Sequence, residues 1–185
     1  FVSHRGIGLC CISAGKQKDV LPSEFWTGKF RAEALEKMYA GARVKGCQDC
    51  YKSESNGLNS MRTFANLYNY LPIKDSPTHL DLDFSNFCNL KCVMCSASRS
   101  SEWAKDRGQP VSSITTAMID DLAEISDNVQ RIVIQGGEPT IMPEFEYYFS
   151  LLDQKGLTKN IELMMITNAT NVNKRFYRLI EKFKK

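Results

Sequence analysis

Residues 80–95 read Leu-Asp-Leu-Asp-Phe-Ser-Asn-Phe-Cys-Asn-Leu-Lys-Cys-Val-Met-Cys, and this stretch decides the fold. Its first six residues alternate apolar and polar side chains, a pattern typical of a β-strand with two different faces. Directly after that strand, Cys88, Cys92 and Cys95 follow at C-x-x-x-C-x-x-C spacing. Three thiolates from one short loop can hold three irons of an iron–sulfur cube, whereas most electron-transfer clusters take four cysteines. The spacing therefore indicates a cluster with one iron left open for chemistry.

Downstream of the cysteines, the chain alternates between predicted strands and predicted helices. We predict further strands at 129–134 and 161–166, and helices at 97–107, 114–125, 143–155 and 174–183. Such alternation usually gives parallel strands joined by crossover helices. At roughly 30 residues per unit, residues 80–185 match about three units of a (β/α) barrel. The fold class predicted for this region is therefore α/β, a partial barrel truncated to about three units.

The polar face of the first predicted strand carries Asp81, Asp83 and Ser85. Strands of a parallel barrel are usually apolar on both faces, so acidic residues on the inner face predict a polar interior that holds a ligand. The alternative interpretation is an edge strand whose polar face lies in water.

Upstream, residues 1–79 are predicted to form a small domain that is mostly helical or irregular and contains cysteines. Residues 1–27 are rich in turns, and helices are predicted at 28–43 and 58–71. The segment from Pro72 to Pro77 holds two prolines and a charged pair, which favours a domain boundary there.

The seven cysteines predict metal binding rather than disulfides. Their number is odd, and the composition gives no sign of secretion, so a disulfide framework fits poorly. Three lie in the loop described above, and four lie upstream: Cys10, Cys11, Cys47 and Cys50. For the C-x-x-C pair at 47–50, zinc, redox thiols and a cluster are all open. A predicted helix before the pair favours metal, because a thioredoxin-like site has a strand before it and a helix that begins at it.

Composition narrows the class of protein further. A net charge of +3 is too small to indicate a nucleic-acid or membrane partner, and no apolar run approaches the length of a membrane span. With no signal peptide visible, we expect a cytoplasmic protein. The first residue, Phe1, and a last helix without a clear end suggest a fragment.

Two more segments are predicted to lie beside the cysteine loop. Gly136-Gly137-Glu138-Pro139 follows the second strand, and Thr167-Asn168 follows the third. Ligands of α/β folds sit at the carboxyl ends of parallel strands. Glycines let a ligand approach the backbone, so the two glycines with the Glu138 carboxylate make a plausible seat for the amino group of an amino acid. The alternative is an ordinary Gly-Gly turn.

The cysteine spacing together with Gly-Gly-Glu-Pro resembles the radical S-adenosylmethionine (radical SAM) superfamily. The resemblance implies that Cys88, Cys92 and Cys95 hold a [4Fe–4S] cluster and that residues 136–139 hold the methionine amino group of SAM. Reductive cleavage of SAM would give a 5′-deoxyadenosyl radical that abstracts hydrogen from a substrate. The implied electron donor is a flavodoxin or ferredoxin. Met94 stands where the family often has an aromatic residue near the adenine, which leaves its role open.

The upstream part resembles the auxiliary-cluster domains called twitch or SPASM, through Cys10-Cys11, Cys47-Gln48-Asp49-Cys50, Glu54 and Ser60-Met61-Arg62. In better-known members that domain follows the barrel, whereas here it precedes it. The resemblance implies that Cys10, Cys11, Cys47 and Cys50 ligate a second iron–sulfur cluster, with one of the adjacent pair left out. It also implies a substrate that is a peptide or protein side chain.

Two other functions stay open at this point. A zinc-binding module would use Cys47, Cys50, Cys92 and Cys95, but it leaves Cys88 and residues 136–139 unexplained. A non-catalytic scaffold would keep only half a barrel and expose its sheet edges.

Overall fold

A computed structural model describes residues 1–68, 71–72, 74–171 and 173–184. Its strands are β1 Val2–Ser3, β2 Gly6–Ile7, β3 His79–Asp83, β4 Arg131–Gln135 and β5 Glu162–Met165. Its helices are α1 Pro22–Thr27, α2 Lys29–Tyr39, α3 Gln48–Ser55, α4 Met61–Ala65, α5 Ser101–Asp106, α6 Thr116–Glu124, α7 Pro143–Gln154 and α8 Lys174–Ile180. Short 3-10 turns lie at Asn66–Tyr68, Pro139–Ile141 and Thr158–Asn160. No described helix is long and apolar enough to cross a membrane.

The strands form one five-stranded, mostly parallel sheet in the order β2-β1-β3-β4-β5. β3, β4 and β5 are parallel, with Asp81 opposite Val133 and Val133 opposite Met164. β1 is parallel to β3, and β2 returns antiparallel to β1. The predicted α/β class and the three predicted strands of residues 80–185 are confirmed. The two short N-terminal strands were not predicted, and they attach the first residues of the chain to the same sheet.

The two faces of β3 differ as the alternation predicts. Leu80 and Leu82 are buried, as are Ile132 and Ile134 beside them on β4. Aromatic residues of α7 cover this outer face: the Phe145 ring stacks on Phe84 at 4.5 Å between centroids, and Tyr148 meets Phe84 edge-on at 5.7 Å. Such contacts add to the free energy of burial. The helix layer therefore fixes one face of the sheet and leaves Asp81 and Asp83 on the other.

Two of the helices begin after residues whose side chains cap the first turn. The Thr115 side chain accepts the Met118 N–H at α6, and Asn173 accepts the N–H groups of Arg175 and Phe176 at α8. Each satisfies backbone donors that the first turn leaves unpaired. The predicted last helix, 174–183, ends earlier, at Ile180.

The upstream helices differ more from prediction. α2 lies within the predicted range 28–43, but α3 was not predicted at all. Of the predicted helix 58–71, residues 61–65 are α-helical, and a 3-10 turn follows. Positions 69 and 70 of that helix lie outside the described residues, as does position 73 of the predicted boundary at 72–77.

Candidate functional site

The loop with Cys88, Cys92 and Cys95 leaves the carboxyl end of β3 and is fixed by the start of α5. The Ser101 hydroxyl accepts the Cys88 N–H at 3.1 Å and donates to the Cys88 carbonyl at 2.9 Å. Ser100 donates to the Leu90 carbonyl at 2.7 Å. These buried hydroxyls satisfy the backbone of the loop where it passes out of water. The backbone of the first cysteine, Cys88, is therefore held by two hydrogen bonds to the start of α5.

The outer part of the loop is held by Trp103 and is otherwise open. The Trp103 indole N–H donates to the Cys92 carbonyl at 2.8 Å, and the Cys95 N–H donates to the same carbonyl at 3.0 Å. Cys88 is buried, Cys95 is half-buried and Cys92 is exposed. Met94, 90% exposed, lies at the tip of the loop. The loop thus reaches from the protein interior to solvent within eight residues.

The Cys88 thiol is buried and lies near the other two cysteines of the loop. Burial raises the pKa of Cys88, the Leu90 N–H lowers it, and the nearby Glu138, Cys95 and Cys92 raise it. Among the described residues, no three His, Cys, Asp or Glu side chains are placed to hold a single metal ion. A four-iron cluster separates its protein ligands more widely than one ion does, and an all-thiolate set suits iron–sulfur chemistry. The residues present therefore fit a cluster better than a lone ion.

Gly136 and Gly137 allow the end of β4 to touch the end of β3. A Cβ on Gly137 would lie 2.1 Å from the Phe87 carbonyl oxygen, and one on Gly136, at φ +126°, would lie 2.7 Å from the Asp83 carboxylate. The Gly137 N–H donates to Ser85 O at 3.1 Å, and the Glu138 N–H donates to Phe87 O at 2.8 Å. The backbone that closely approaches these glycines is therefore the stem of the cysteine loop. Among the described residues, the Gly136 and Gly137 carbonyls accept no hydrogen bond.

The Glu138 carboxylate is fully buried and faces the chain after β5. Its Oε1 accepts the Thr140 hydroxyl at 2.7 Å, the Thr140 N–H at 3.1 Å and the Thr167 hydroxyl at 2.6 Å. Its Oε2 accepts the Asn168 N–H at 2.7 Å. Burial raises the pKa of Glu138, but these hydrogen bonds outweigh it and leave the pKa below its ordinary value. The carboxylate therefore organises the edge of the sheet from inside, whereas the sequence suggested that it faces a ligand.

Asn89 completes the connection between the loops. Its amide donates to the Thr170 hydroxyl at 2.9 Å, and its oxygen accepts the Asn168 amide at 3.1 Å. The three predicted segments at the carboxyl edge are thus joined by hydrogen bonds. Sequence reasoning placed them together but missed Asn89 and Thr170, as well as the anchoring residues Ser100, Ser101 and Trp103. The only sequence signal for the anchors is a serine pair before a helix.

A second unpredicted group surrounds Asp83, which is fully buried at the end of β3. Arg5 donates to its Oδ2 at 2.8 Å, Arg99 lies at 3.8 Å, and His4 Nε2 lies 3.7 Å from Oδ1. The His4 Nδ1 is within 2.6 Å of the Ser112 hydroxyl. The β1–β2 turn and the segment after the cysteine loop are therefore tied to the same carboxylate.

The four upstream cysteines line one cavity of about 860 Å³. Cys47 immediately precedes α3, and Cys50 lies in its first turn; both are buried. Gly46 allows the loop with Cys10 and Cys11 to come close, because a Cβ there would lie 2.5 Å from Ala14 O. Burial raises the pKa of Cys47, with Cys10 the next cause and Cys50 after it. The four upstream cysteines thus share one cavity, and all seven cysteines are free of disulfides.

A helix precedes the C-x-x-C pair, as predicted, because α2 is the element before it. A second helix, α3, begins at Gln48 inside the pair; it was not predicted, and a thioredoxin-like site also has a helix at that point. Metal and redox thiols therefore both stay open for Cys47 and Cys50, and the zinc module stays a prediction.

Comparison with known proteins adds one match. The family model of the radical SAM superfamily matches residues 82–185, which is more than half of the chain and includes the cysteine loop and the segments after β4 and β5. No curated protein and no solved structure matches.

Proposed function

The chain belongs to the radical SAM superfamily, and we propose that Cys88, Cys92 and Cys95 hold the [4Fe–4S] cluster on which the SAM-dependent radical chemistry of this family depends. Members of the superfamily are enzymes, and membership implies the cluster and SAM. When bound, the cluster supplies the electron that cleaves SAM into methionine and the 5′-deoxyadenosyl radical, which abstracts hydrogen from the substrate. All other roles belong to residues of the chain itself.

The observation that supports this proposal is that hydrogen bonds connect the three segments at the carboxyl edge of the sheet. Gly137 and Glu138 bond the cysteine-loop stem through their N–H groups, while the Glu138 carboxylate bonds the chain after β5. Ligands of α/β folds bind at this edge. A ligand group that binds there contacts three segments that are already held by hydrogen bonds. Binding therefore costs little additional conformational entropy of the protein.

We assign the methionine amino group of SAM to the carbonyl oxygens of Gly136 and Gly137. They are the unoccupied acceptors of the Gly-Gly-Glu-Pro segment, whereas every described donor around the Glu138 carboxylate is a protein group. An ammonium needs acceptors when it leaves water. In this assignment Glu138 positions the seat, together with Pro139, Thr167 and Asn168. Met94 is exposed beside the cluster site and can contact the adenosyl part of SAM as an adaptable apolar group.

The upstream region is assigned a second iron–sulfur cluster, as in twitch or SPASM domains. The support is the convergence of Cys10, Cys11, Cys47 and Cys50 on one cavity. A domain division near residue 79 and a barrel built on the sheet remain part of this proposal. So do an oxidoreductase or transferase activity on a peptide or protein side chain and reduction by a flavodoxin or ferredoxin.

The proposal is tested by anaerobic purification followed by iron and sulfide analysis. We expect a brown protein, and from the full natural chain 5′-deoxyadenosine on addition of SAM and dithionite, with a Cys92→Ala variant that forms none. Residues 1–185 alone should show weak cleavage or none. Cys47→Ala should lose about half of the iron and keep the cluster held by residues 88–95. A colourless protein overturns the cluster assignment, and a brown full-length protein that never cleaves SAM, as a non-catalytic scaffold would behave, overturns the enzymatic one.

A further inference from the structure

The cavity that the upstream cysteines line has a second wall with a different chemistry. Asp81, Val133 and Met164 lie opposite one another on the inner face of β3, β4 and β5, and all three line the cavity. None of the residues from 82 to 132 or from 135 to 163 lines it. It is therefore separate from the carboxyl edge where SAM is assigned.

The lining of this cavity is mainly apolar. The α2 helix, the α4 region and the sheet contribute Leu35, Met38, Phe64, Leu67, Val133 and Met164. A volume of about 860 Å³ falls within the range of about 300–1,000 Å³ found for small-molecule sites. Several of these side chains are exposed, among them Phe64 at 51% and Leu67 at 66%. A cavity of this volume with a mainly apolar lining is typical of a small-molecule site.

The charged side chains around the cavity are mostly engaged elsewhere. The Arg31 guanidinium stacks on the Trp26 ring at 3.6 Å and donates to the Trp26 carbonyl. Arg62 donates twice to the Glu54 carboxylate. Lys74 and Asp49 also line the cavity, and both are exposed to solvent. Burial lowers the pKa of His79 to about 4, so this side chain brings no positive charge at neutral pH.

Asp81 is the carboxylate on the wall formed by the sheet. One oxygen accepts the Gln135 amide at 2.7 Å, and the carboxylate also interacts with the Cys11 thiol. A carboxylate that has lost water in an apolar cavity gains most from a cationic donor.

We propose that this cavity binds an apolar group bearing a protonated amine, with the amine at Asp81 and the apolar body against Val133, Met164 and the helices. That this group belongs to the substrate rests on the function proposed above. The four cysteines line the same cavity, so a cluster held there would lie beside the bound group.

The test uses the anaerobically reconstituted full chain, without SAM or dithionite, and equilibrium dialysis against two matched probes. 2-Phenylethylamine should bind at least about tenfold more tightly than 2-phenylethanol, because a charge-assisted hydrogen bond is roughly twice as strong as a neutral one. Asp81→Asn should abolish that preference. Asp75→Asn, an exposed carboxylate between two lining residues, should leave it unchanged. Equal binding of the two probes, or a preference that persists in Asp81→Asn, overturns the proposal.

Met164→Trp gives a second measurement that does not depend on Asp81→Asn folding. A larger side chain on the inner face should weaken the binding of both probes several-fold. Unchanged affinity would mean that the probes bind elsewhere and would overturn the proposal. Failure here is distinguishable from failure of the proposed function. If the protein cleaves SAM but shows no preference for the amine, only the cavity assignment is overturned. If the protein is colourless but still prefers the amine, only the proposed radical chemistry is overturned.

Discussion

Asn89, the residue after the first cysteine of the loop, accepts a hydrogen bond from the side chain of Asn168 at 3.1 Å. The two residues are 79 positions apart in sequence. Their contact joins the loop after β3 to the chain after β5, across the end of β4. The cysteine loop is thus supported from three sides: by α5, by the segment after β4 and by the segment after β5.

Replacing Asn89 by Ala should loosen the cysteine loop without unfolding the sheet. The variant loses two side-chain hydrogen bonds, each worth about 0.5–1.5 kcal/mol, both at an exposed position. We expect iron loss to a chelator to accelerate several-fold. Asn168→Ala should act similarly, and the double variant should be less than additive, since both residues share one contact. Asn128→Ala, which breaks a bond to Ser76 away from this edge, is the matched control; equal acceleration there would contradict the prediction.

Gly137→Ala should be far more damaging than an alanine at an open glycine. The new Cβ would lie 2.1 Å from the Phe87 carbonyl oxygen, and the N–H groups of Gly137 and Glu138 are hydrogen-bonded to the same stem. We expect a loss of more than about 3 kcal/mol in unfolding free energy, above the usual cost of overpacking. Gly108→Ala meets no neighbour within 4 Å and should cost about 1–2 kcal/mol for its positive φ. Denaturant unfolding measures both, and similar losses would refute the packing argument.

The fold of residues 80–185 could be predicted because each strand carries its own local signal. The alternation from Leu80 to Ser85 and the β-branched run before Gln135 both indicate strands without reference to the rest of the chain. β1 and β2 carry no such signal. Each is two residues long, and β1 is a strand because it pairs with Leu82 and Asp83, a long-range contact that sequence patterns do not show.

The missed helix α3 has a different physical cause. Its sequence, Gln-Asp-Cys-Tyr-Lys-Ser-Glu-Ser, has too few apolar residues for a helical period to be visible. The helix is stabilised by packing instead. Cys50 is buried, and the Tyr51 hydroxyl accepts the Val44 N–H at 3.0 Å. Contacts of this kind routinely decide short helices whose intrinsic propensity is weak.

The candidate site could be predicted as a set of residues but not as a set of roles. Parallel strands bring their carboxyl ends to one edge, so the proximity of the cysteine loop, Gly136 and Thr167 followed from topology alone. The role of Glu138 did not follow. Whether a carboxylate faces a ligand or the protein depends on the donors around it, and those come from Thr140, Thr167 and Asn168, whose orientation only the folded chain shows.

Trp103→Phe should remove one contact to the cysteine loop and keep the aromatic ring. The indole N–H no longer donates to the Cys92 carbonyl, while an aromatic ring stays in contact with Lys91 and Arg107, which lie 5.6 and 5.2 Å from the ring centroid. We expect a loss of about 1 kcal/mol or less in unfolding free energy, since the contact is exposed. Iron should be lost faster to a chelator, as for Asn89→Ala. A variant that loses global stability but holds iron as firmly as the unmodified protein would show that Trp103 acts on the fold rather than on the loop.

Glu138→Gln should weaken both the fold and SAM binding. The glutamine side chain keeps one oxygen acceptor. Its NH₂ group, however, faces either the Asn168 N–H or the donors of Thr140 and Thr167. A buried donor left without an acceptor costs about 1–3 kcal/mol. Because the chain after β5 then shifts, SAM affinity should fall as well, by roughly tenfold at a change of about 1.4 kcal/mol. Glu24→Gln removes a carboxylate that accepts the Leu21 N–H at the start of α1, away from this edge. It should leave SAM affinity unchanged in equilibrium dialysis.

The effect of Glu138→Gln should also depend on pH in a defined direction. Hydrogen bonds hold the pKa of Glu138 below the ordinary value of 4.5 despite its burial. A carboxylate with a lowered folded-state pKa stabilises the protein above its unfolded pKa, and this stabilisation is lost as the pH falls through the folded value. The stability difference between the unmodified protein and Glu138→Gln should therefore be constant above about pH 5.5 and shrink below pH 4.5. Urea unfolding at several pH values measures it. A difference that grows on acidification would mean that burial dominates and that the hydrogen bonds to Thr167 and Asn168 do not stabilise the charged carboxylate.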